Sequence, residues 1–305
     1  MNDPIPIPLP KLGRLYRKAA LNAVRSRLSS GGSLKALPDR PLLTEHPGIT
    51  EEQAEQYRLL LEGEPFDGTH RQALPSVLLH IAGFPVQMAL LSRSDFPLPL
   101  VGMVHLSNQV THHHPVPART PVQILARVEN FAPHRRGTQV DLVLEMYPAG
   151  IDIQQTGSAD LLYTSTSCYL GLGTYLYAKT ESTSGPREEF TPPQKTGLWT
   201  LGADVGRRYA SISGDFNPLH LSGLAGKALG QKGAIVHGMY LAARMLEGRE
   251  PEGAGHRWSI SFEAPVTLPG KVAFCAAPGV NKTQHFVGWN PRTGRRHFTG
   301  ELNIP

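Results

Sequence analysis

The sequence predicts an α+β protein made of two similar halves, each an antiparallel sheet wrapped around one long apolar helix. Segments 79–93 (LHIAGFPVQMALLSR) and 236–249 (VHGMYLAARMLEGR) are apolar on most faces and indicate buried helices. Each is followed by segments rich in β-branched and aromatic residues with near alternation, which is typical of antiparallel strands. Helices do not recur between these strands, so a parallel α/β fold is not expected.

The length and composition suit two domains. The 305 residues are 40% hydrophobic and 18% charged, as expected of a globular chain with a substantial core. A stretch rich in Ser, Thr, Pro and Gly marks a linker between the halves. The predicted organisation is an extension over 1–45, a first half over 46–180, the linker over 181–197 and a second half over 198–305.

The strand patterns repeat between the halves. Pro115 and Val116 recur as Pro265 and Val266, at a constant offset of 150 residues, which favours a diverged duplication. The predicted strands of the first half lie within 107–131, 138–147 and 161–171, and those of the second within 257–278, 284–290 and 294–304.

The N-terminal extension is basic and Pro-rich. Its apolar residues fall near helical spacing over 11–28, which predicts a short basic amphipathic helix. Two interpretations stay open: the helix docks to an acidic carrier protein or an anionic membrane surface, or it packs on the body with its charges in solvent. The charges are those of Lys11, Arg14, Arg17, Lys18, Arg25 and Arg27.

Several function classes are not expected. No apolar run is long enough to span a membrane and no secretory signal is evident, so we expect a cytoplasmic protein that is not transmembrane. Phosphate-loop, dinucleotide and nucleophile-elbow motifs are missing, and nothing indicates nucleic-acid binding or a cofactor. Cys168 and Cys275 are far apart and are expected to stay reduced in strands.

A histidine cluster, THHHPV, invites a metal interpretation. On a strand His112 and His114 would share one face, but no neighbouring Cys or carboxylate completes a ligand set. We therefore expect no metal site there.

The segment YASISGDFNPLH (209–220) places Asp215 and His220 five residues apart around an Asn217–Pro218 turn. Taken singly, an aspartate here is most often a turn or capping residue, and a lone histidine is most often structural. His237 and Gly238 follow at the start of the second apolar helix. The joint pattern is much harder to produce by accident.

This pattern resembles the signature of the MaoC-like, or hydratase 2, enzymes, the (R)-specific enoyl-thioester hydratases and dehydratases of hotdog fold. The resemblance covers about 199–275, and the element order of the first half is compatible with a second hotdog. It therefore implies a double hotdog with a degenerate, non-catalytic first half. The residues that carry it are Ser213, Gly214, Asp215, Asn217, Pro218, His220, His237 and Gly238.

The chemistry of such an enzyme needs a base for water, an acid for C2 and a donor for the enolate oxygen. Asp215 and His220 would jointly hold one water, because the turn between them folds the loop back. By resemblance, the backbone N–H of Gly238 at a helix N-terminus would polarise the thioester carbonyl. Asn217 and Pro218 would order the loop, with Ser213, Gly214 and His237 close to the substrate.

The sequence departs from the family at two places. Ser222 stands where many members have an acidic residue, and the helix after Gly238 lacks the hydroxyl residue found in many members. The second departure removes a polar contact near the site and bears on substrate positioning.

The acyl carrier is left open between coenzyme A and acyl carrier protein. Lys227, Lys232 and Arg244 are candidates for the phosphates of coenzyme A, whereas a carrier protein would use a broad basic face. Gly83 and Pro85 are expected to break the first-half helix and make room for a long acyl chain. A homodimer is also left open.

Two other functions are compatible with the sequence. One is a non-catalytic acyl-binding hotdog subunit of a fatty-acid or polyketide complex, and the other is a hotdog thioesterase. An intact set of Asp215, His220 and Gly238 argues against the first, and release of free thiol would identify the second.

Overall fold

A computed structural model describes residues 2–17, 38–63, 73–100, 102–155, 157–177, 189–228, 230–253 and 255–305. Within these ranges eleven strands form one sheet, in the order β1-β2-β4-β5-β6-β3-β8-β11-β10-β9-β7. The strands are β1 (Ile5–Pro6), β2 (Leu42–His46), β3 (Met103–His112), β4 (Val122–His134), β5 (Gly137–Pro148), β6 (Tyr163–Leu172), β7 (Gly197–Leu201), β8 (His256–Phe262), β9 (Gly270–Pro278), β10 (Thr283–Trp289) and β11 (Arg296–Asn303).

The sheet divides into two antiparallel halves that meet edge to edge. Strands β2 to β6 belong to the first half and β7 to β11 to the second, and β3 pairs with β8 from Ser107↔Ser261 to His112↔His256. The added parallel pair of β1 with β2 makes the whole sheet mixed. The α+β prediction is confirmed, and the sheets of the two halves prove to be continuous through β3 and β8.

The helices pack against the sheet or close its ends. Within the described ranges no helix is long and apolar enough to cross a membrane. Cys168 and Cys275 lie in β6 and β9 and are free thiols. The helices are α1 (residues 12–17), α2 (Glu51–Leu61), α3 (Ser76–Leu91), α4 (Val205–Ser213), α5 (Pro218–Leu221), α6 (Gly223–Ala228) and α7 (Gly238–Leu246).

The first-half helix α3 runs through Pro85 without interruption, so the predicted break at Gly83 and Pro85 is wrong. A proline inside a helix costs about 3 kcal/mol, whereas burying one large apolar side chain gains about 1.5–3 kcal/mol. Thirteen of the sixteen residues of α3 are buried, so packing outweighs the proline. Gly83 serves close contact instead, because a Cβ there would clash with the side chain of Leu144 on β5.

The two halves repeat each other in detail. One isolated bridge pairs Ala73 with Pro117, and the other pairs Ile235 with Thr267. Helix α3 begins three residues after Ala73, and α7 begins three residues after Ile235. By this correspondence Ser76 in the first half takes the place of Gly238 in the second. The fold thus supports the duplication inferred from the offset of 150 residues.

The described part of the N-terminal extension lies against the body. Its strand β1 pairs with β2, and Leu12 and Leu15 of α1 pack on the main hydrophobic core. This agrees with the packing interpretation of the basic helix over its first turns. The rest of that predicted helix, with Lys18, Arg25 and Arg27, and residues 181–188 of the linker lie outside the described residues. The charged side chains that remain exposed on or beside α1 are those of Lys11, Arg14 and Arg17.

Candidate active site

The loop after α4 presents Asp215. The helix ends at Ser213, and Gly214 adopts the left-handed conformation (φ 71°) that lets the chain turn. The Ser213 hydroxyl donates to the Tyr209 carbonyl at 2.9 Å and accepts from the Asp215 N–H at 3.2 Å. Asp215 Oδ1 in turn accepts from the Asn217 N–H at 3.2 Å. The carboxylate is therefore held by its own loop.

Helix α5 carries His220. Asn217 is its N-cap, with Oδ1 accepting from the Leu219 N–H at 3.2 Å, and Pro218 occupies the first helical position. His220 Nδ1 lies 2.8 Å from the Ile235 carbonyl oxygen, which can only accept. In the neutral ring the proton therefore sits on Nδ1, and Nε2 is left as an acceptor.

Asp215, His220 and His237 converge on one point. One carboxylate oxygen and one ring nitrogen of each histidine lie within 4.8 Å of one another. One water molecule bridges such a separation with two hydrogen bonds of about 2.8 Å. The structure thus brings together Asp215 and His220, the two side chains that the sequence predicted to share one water.

His237 contacts both Asp215 and His220. It is 3% exposed, its Nε2 donates to the Asp215 carbonyl oxygen at 3.0 Å, and its ring stacks on His220 with centroids 3.7 Å apart. Burial, with a smaller effect of His220, lowers the pKa of His237 to about 3. Burial also lowers the pKa of His220, against the opposing effects of Asp215 and the bond to Ile235. Both rings are therefore neutral near pH 7.

Gly238 is the first residue of α7, where a backbone N–H has no partner inside the helix. A Cβ at this position would lie 2.8 Å from Phe262 Cζ, which is closer than packed atoms approach. Gly238, Asp215 and His220 all line the same cavity.

That cavity has a volume of about 980 Å³ and is formed by both halves. Its size is at the upper end of the range of about 300–1,000 Å³ that is usual for small-molecule sites. The first half contributes an apolar wall from α3, and the second half contributes α7 and the loop that holds Asp215. The apolar residues of the α3 wall are Ile81, Phe84, Met88 and Leu91.

The basic residues proposed for coenzyme A are not at this cavity. Arg244 donates to the Leu61 carbonyl oxygen at 2.9 Å and lines a different, smaller pocket. Lys227 and Lys232 are exposed and lie outside the cavity lining. The lining instead includes Arg135, Arg136 and Arg295, which sequence reasoning did not single out.

Sequence reasoning also missed several groups inside the cavity. The Tyr16 hydroxyl donates to Asp215 Oδ1 at 2.5 Å. His80, His105 and Tyr169 of the first half line the cavity too, and the His105 and Tyr169 rings stack with centroids 4.5 Å apart. No local motif marks these residues, because their contacts join segments far apart in the chain.

The histidine cluster at the end of β3 lies near the carboxylate of Glu250, although no carboxylate neighbours the cluster in the sequence. His112, Glu250 and His256 each offer a ligand-type atom within 4.8 Å of the others, whereas His114 lies beyond the strand. Glu250 Oε1 accepts from the Ser76 N–H at 3.1 Å and lies 3.2 Å from His256 Nε2. Glu250 is therefore held by hydrogen bonds across the junction of the two halves.

Comparisons with known proteins identify the family of this chain. A family model described as MaoC like domain matches residues 188–291. A relative, 3-hydroxyacyl-thioester dehydratase X from Mycobacterium tuberculosis, is 34% identical over 206 residues, which cover 64% of this chain and 67% of the relative. The chain belongs to the MaoC-like dehydratase family.

Solved structures extend the likeness over both halves. The crystal structure of HtdX from Mycobacterium tuberculosis superposes with a TM-score of 0.71 at 24% identity, covering 87% of this chain and 100% of the other. A MaoC-like dehydratase from Phytophthora capsici gives a TM-score of 0.68 at 15% identity, covering 90% and 98%. The MaoC-like chain thus has the double-hotdog fold that its sequence predicted.

Proposed function

We propose that this MaoC-like family member is an (R)-specific 3-hydroxyacyl-thioester dehydratase that also runs in reverse as a 2-enoyl-thioester hydratase. The observation that carries the proposal is the convergence of Asp215 and His220 within 4.8 Å in a cavity that Gly238 also lines. The relative from Mycobacterium tuberculosis bears the name of a dehydratase of this substrate class, which supports the assignment.

In the hydration direction the Asp215 and His220 pair holds one water over the C2=C3 bond. One member of the pair takes a proton from the water as its oxygen bonds to C3, and a proton is delivered to C2 from the same side. The negative charge that develops on the thioester oxygen accepts a hydrogen bond from the Gly238 N–H, beside the positive end of α7. Dehydration uses the same groups in the opposite order.

The acyl chain is bulky or long, because the cavity is large and its α3 wall is apolar. The carrier is coenzyme A or acyl carrier protein. Either carrier brings a phosphate group, and the arginines of the cavity lining, Arg135, Arg136 and Arg295, provide matching positive charge.

The test follows the loss of enoyl-thioester absorbance for crotonyl and longer substrates on both carriers. Asp215→Asn and His220→Ala are each expected to lower kcat/KM by about 10²–10⁴, because each removes a proton-transfer group. Matched controls are Asp204→Asn, at the exposed start of α4, and His285→Ala, whose side chain is 51% exposed on β10. Both controls should retain wild-type rates.

Three outcomes would count against the proposal. If the folded wild type hydrates none of these substrates, the protein is not a hydratase. If free thiol is released and Asp215→Asn abolishes the release, the protein is a thioesterase. If short and long chains react at the same rate, the long-chain assignment fails.

A further inference from the structure

The N-terminal helix α1 lies directly on the catalytic loop. Leu12 sits so close to Gly214 that a Cβ on that glycine would clash with the leucine side chain. Gly13 and Tyr16 line the cavity together with Asp215. The segment is anchored before the helix, since the Ile5 and Ile7 N–H groups donate to the Pro41 and Leu43 carbonyl oxygens, both at 2.8 Å.

This placement brings a phenol to the catalytic carboxylate. The Tyr16 hydroxyl lies 2.5 Å from Asp215 Oδ1, the oxygen that also accepts from the Asn217 N–H. An ionised carboxylate only accepts, so the phenol is the donor, and hydrogen bonds this short to a charged acceptor are among the stronger ones. Burial, with an added effect of Asp215, raises the pKa of Tyr16 well above its ordinary value. Tyr16 therefore stays protonated and keeps donating.

The histidines around Asp215 do not supply a positive charge. Burial lowers the pKa of His80 to about 4 and of His105 and His237 to about 3, and it lowers the pKa of His220 as well. Stabilisation of the ionised carboxylate therefore falls to hydrogen-bond donors. The titratable groups that face it are Tyr16, His80, His105, Tyr169, Tyr209, His220 and His237.

We propose that Tyr16 is a positioning residue for catalysis, whose hydroxyl fixes and stabilises the ionised Asp215 carboxylate and leaves Oδ2 to hold the water shared with His220. The N-terminal extension is then a third part of the active site, beside the two hotdogs. It lies outside the segment that the family model matches, residues 188–291. This inference rests on the proposed function, because it assigns Asp215 a role with water.

The experiment compares Tyr16→Phe with the wild type in full pH profiles of kcat and kcat/KM. Loss of the hydroxyl should lower kcat about tenfold with KM within about twofold, and move the acid limb of kcat/KM up by about one pH unit. Tyr177→Phe is the matched control, because Tyr177 is 47% exposed and lies outside the cavity lining. A second variant, Tyr16→Ala, also removes the ring and separates packing from hydrogen bonding.

A readout independent of turnover keeps this inference separate from the proposed function. The ¹³Cγ chemical shift of Asp215 at pH 7, assigned by its loss in Asp215→Asn, should change in Tyr16→Phe and not in Tyr177→Phe, because only Tyr16→Phe removes a hydrogen bond to the carboxylate. An unchanged Asp215 resonance in Tyr16→Phe overturns the role of the hydroxyl whether or not the protein is a hydratase. With an active wild type, a Tyr16→Phe profile identical to that of Tyr177→Phe also overturns it. A Tyr16→Phe enzyme faster than the wild type would show that Tyr16 blocks the site instead.

Discussion

At the scale of single residues, position 238 admits only glycine in the present arrangement. A Cβ there would lie 2.8 Å from Phe262 Cζ and 3.0 Å from Cε2, both shorter than normal packing distances. The Phe262 ring is itself held by His105, with centroids 5.2 Å apart. The start of α7 and the cavity wall are therefore fitted to each other.

We expect Gly238→Ala to lower kcat/KM by about 10²-fold, the effect typical of disturbing one oxyanion donor. The added methyl group must either move the Phe262 ring or shift the N–H away from the thioester oxygen. Adding Phe262→Ala to this variant makes room and should recover part of the activity, as measured in the enoyl-thioester assay. Gly253→Ala, where a Cβ meets nothing within 4 Å, is the control. Full activity in Gly238→Ala would show that this packing does not set the position of the donor.

The sequence predicted residues of the site only where they share a local pattern. Asp215, His220 and Gly238 stand within one segment of recognisable spacing, and the structure brings them together around one cavity. Tyr16 was not predicted, because it meets Asp215 across 199 positions of the chain. Such a contact depends on where β1 anchors the extension, and no spacing in the sequence encodes that.

At the scale of elements, the packing of α4 on α5 sets the distance between Asp215 and His220, the two side chains proposed for catalysis. A Cβ on Gly206 of α4 would clash with the backbone carbonyl of His220, and it would lie 3.5 Å from Leu268 Cδ1. Because the obstacle is backbone rather than a flexible side chain, it cannot move away cheaply. Gly206 therefore allows α4, which precedes Asp215, to lie directly on the turn that carries His220.

We expect Gly206→Ala to destabilise the protein by about 1–3 kcal/mol, the usual cost of overpacking, although alanine favours a helix by about 1 kcal/mol over glycine. Activity should fall as well, because α5 must shift relative to Asp215. Urea unfolding and the enoyl-thioester assay measure the two effects. Gly223→Ala in α6 is the helical control, since the nearest atom to its Cβ lies 3.9 Å away. A Gly206→Ala protein that is more stable and fully active would refute the packing argument.

At the same scale, the N-terminus of α3 in the first half differs from that of α7 in the second half. In the first half the position of Gly238 is taken by Ser76, whose N–H donates to Glu250 Oε1 at 3.1 Å. Trp258 Nε1 donates to the Ser76 hydroxyl at 2.7 Å. A carboxylate from the second half thus occupies the N-terminus of α3, the position that corresponds to the one proposed for the thioester oxygen at α7. The duplication was visible in the sequence, but this occupancy depends on the junction of the halves and was not.

At the scale of the whole molecule, the continuous sheet encloses neutral histidines from both halves. Burial lowers the pKa of His80 to about 4 and of His105 and His237 to about 3, against about 6.5 in an unfolded chain. Below pH 6.5 the unfolded chain therefore binds protons that the folded protein does not. Stability rises with pH in this window and is lost as pH falls from 6.5 toward 4.

We expect the free energy of unfolding to be level above pH 7 and to fall between pH 6.5 and 5, with each buried histidine contributing at most about 1.4 kcal/mol per pH unit. Urea unfolding at a series of pH values measures this slope. His105→Asn removes one of the rings whose pKa is lowered and should flatten the slope, whereas His285→Asn changes an exposed ring on β10 and should not. Carboxylates with ordinary pKa values titrate mostly below this window, so they do not produce the same slope. Equal slopes in the two variants, or a level curve down to pH 5, would show that the histidines enclosed between the two halves accept protons without opening the fold.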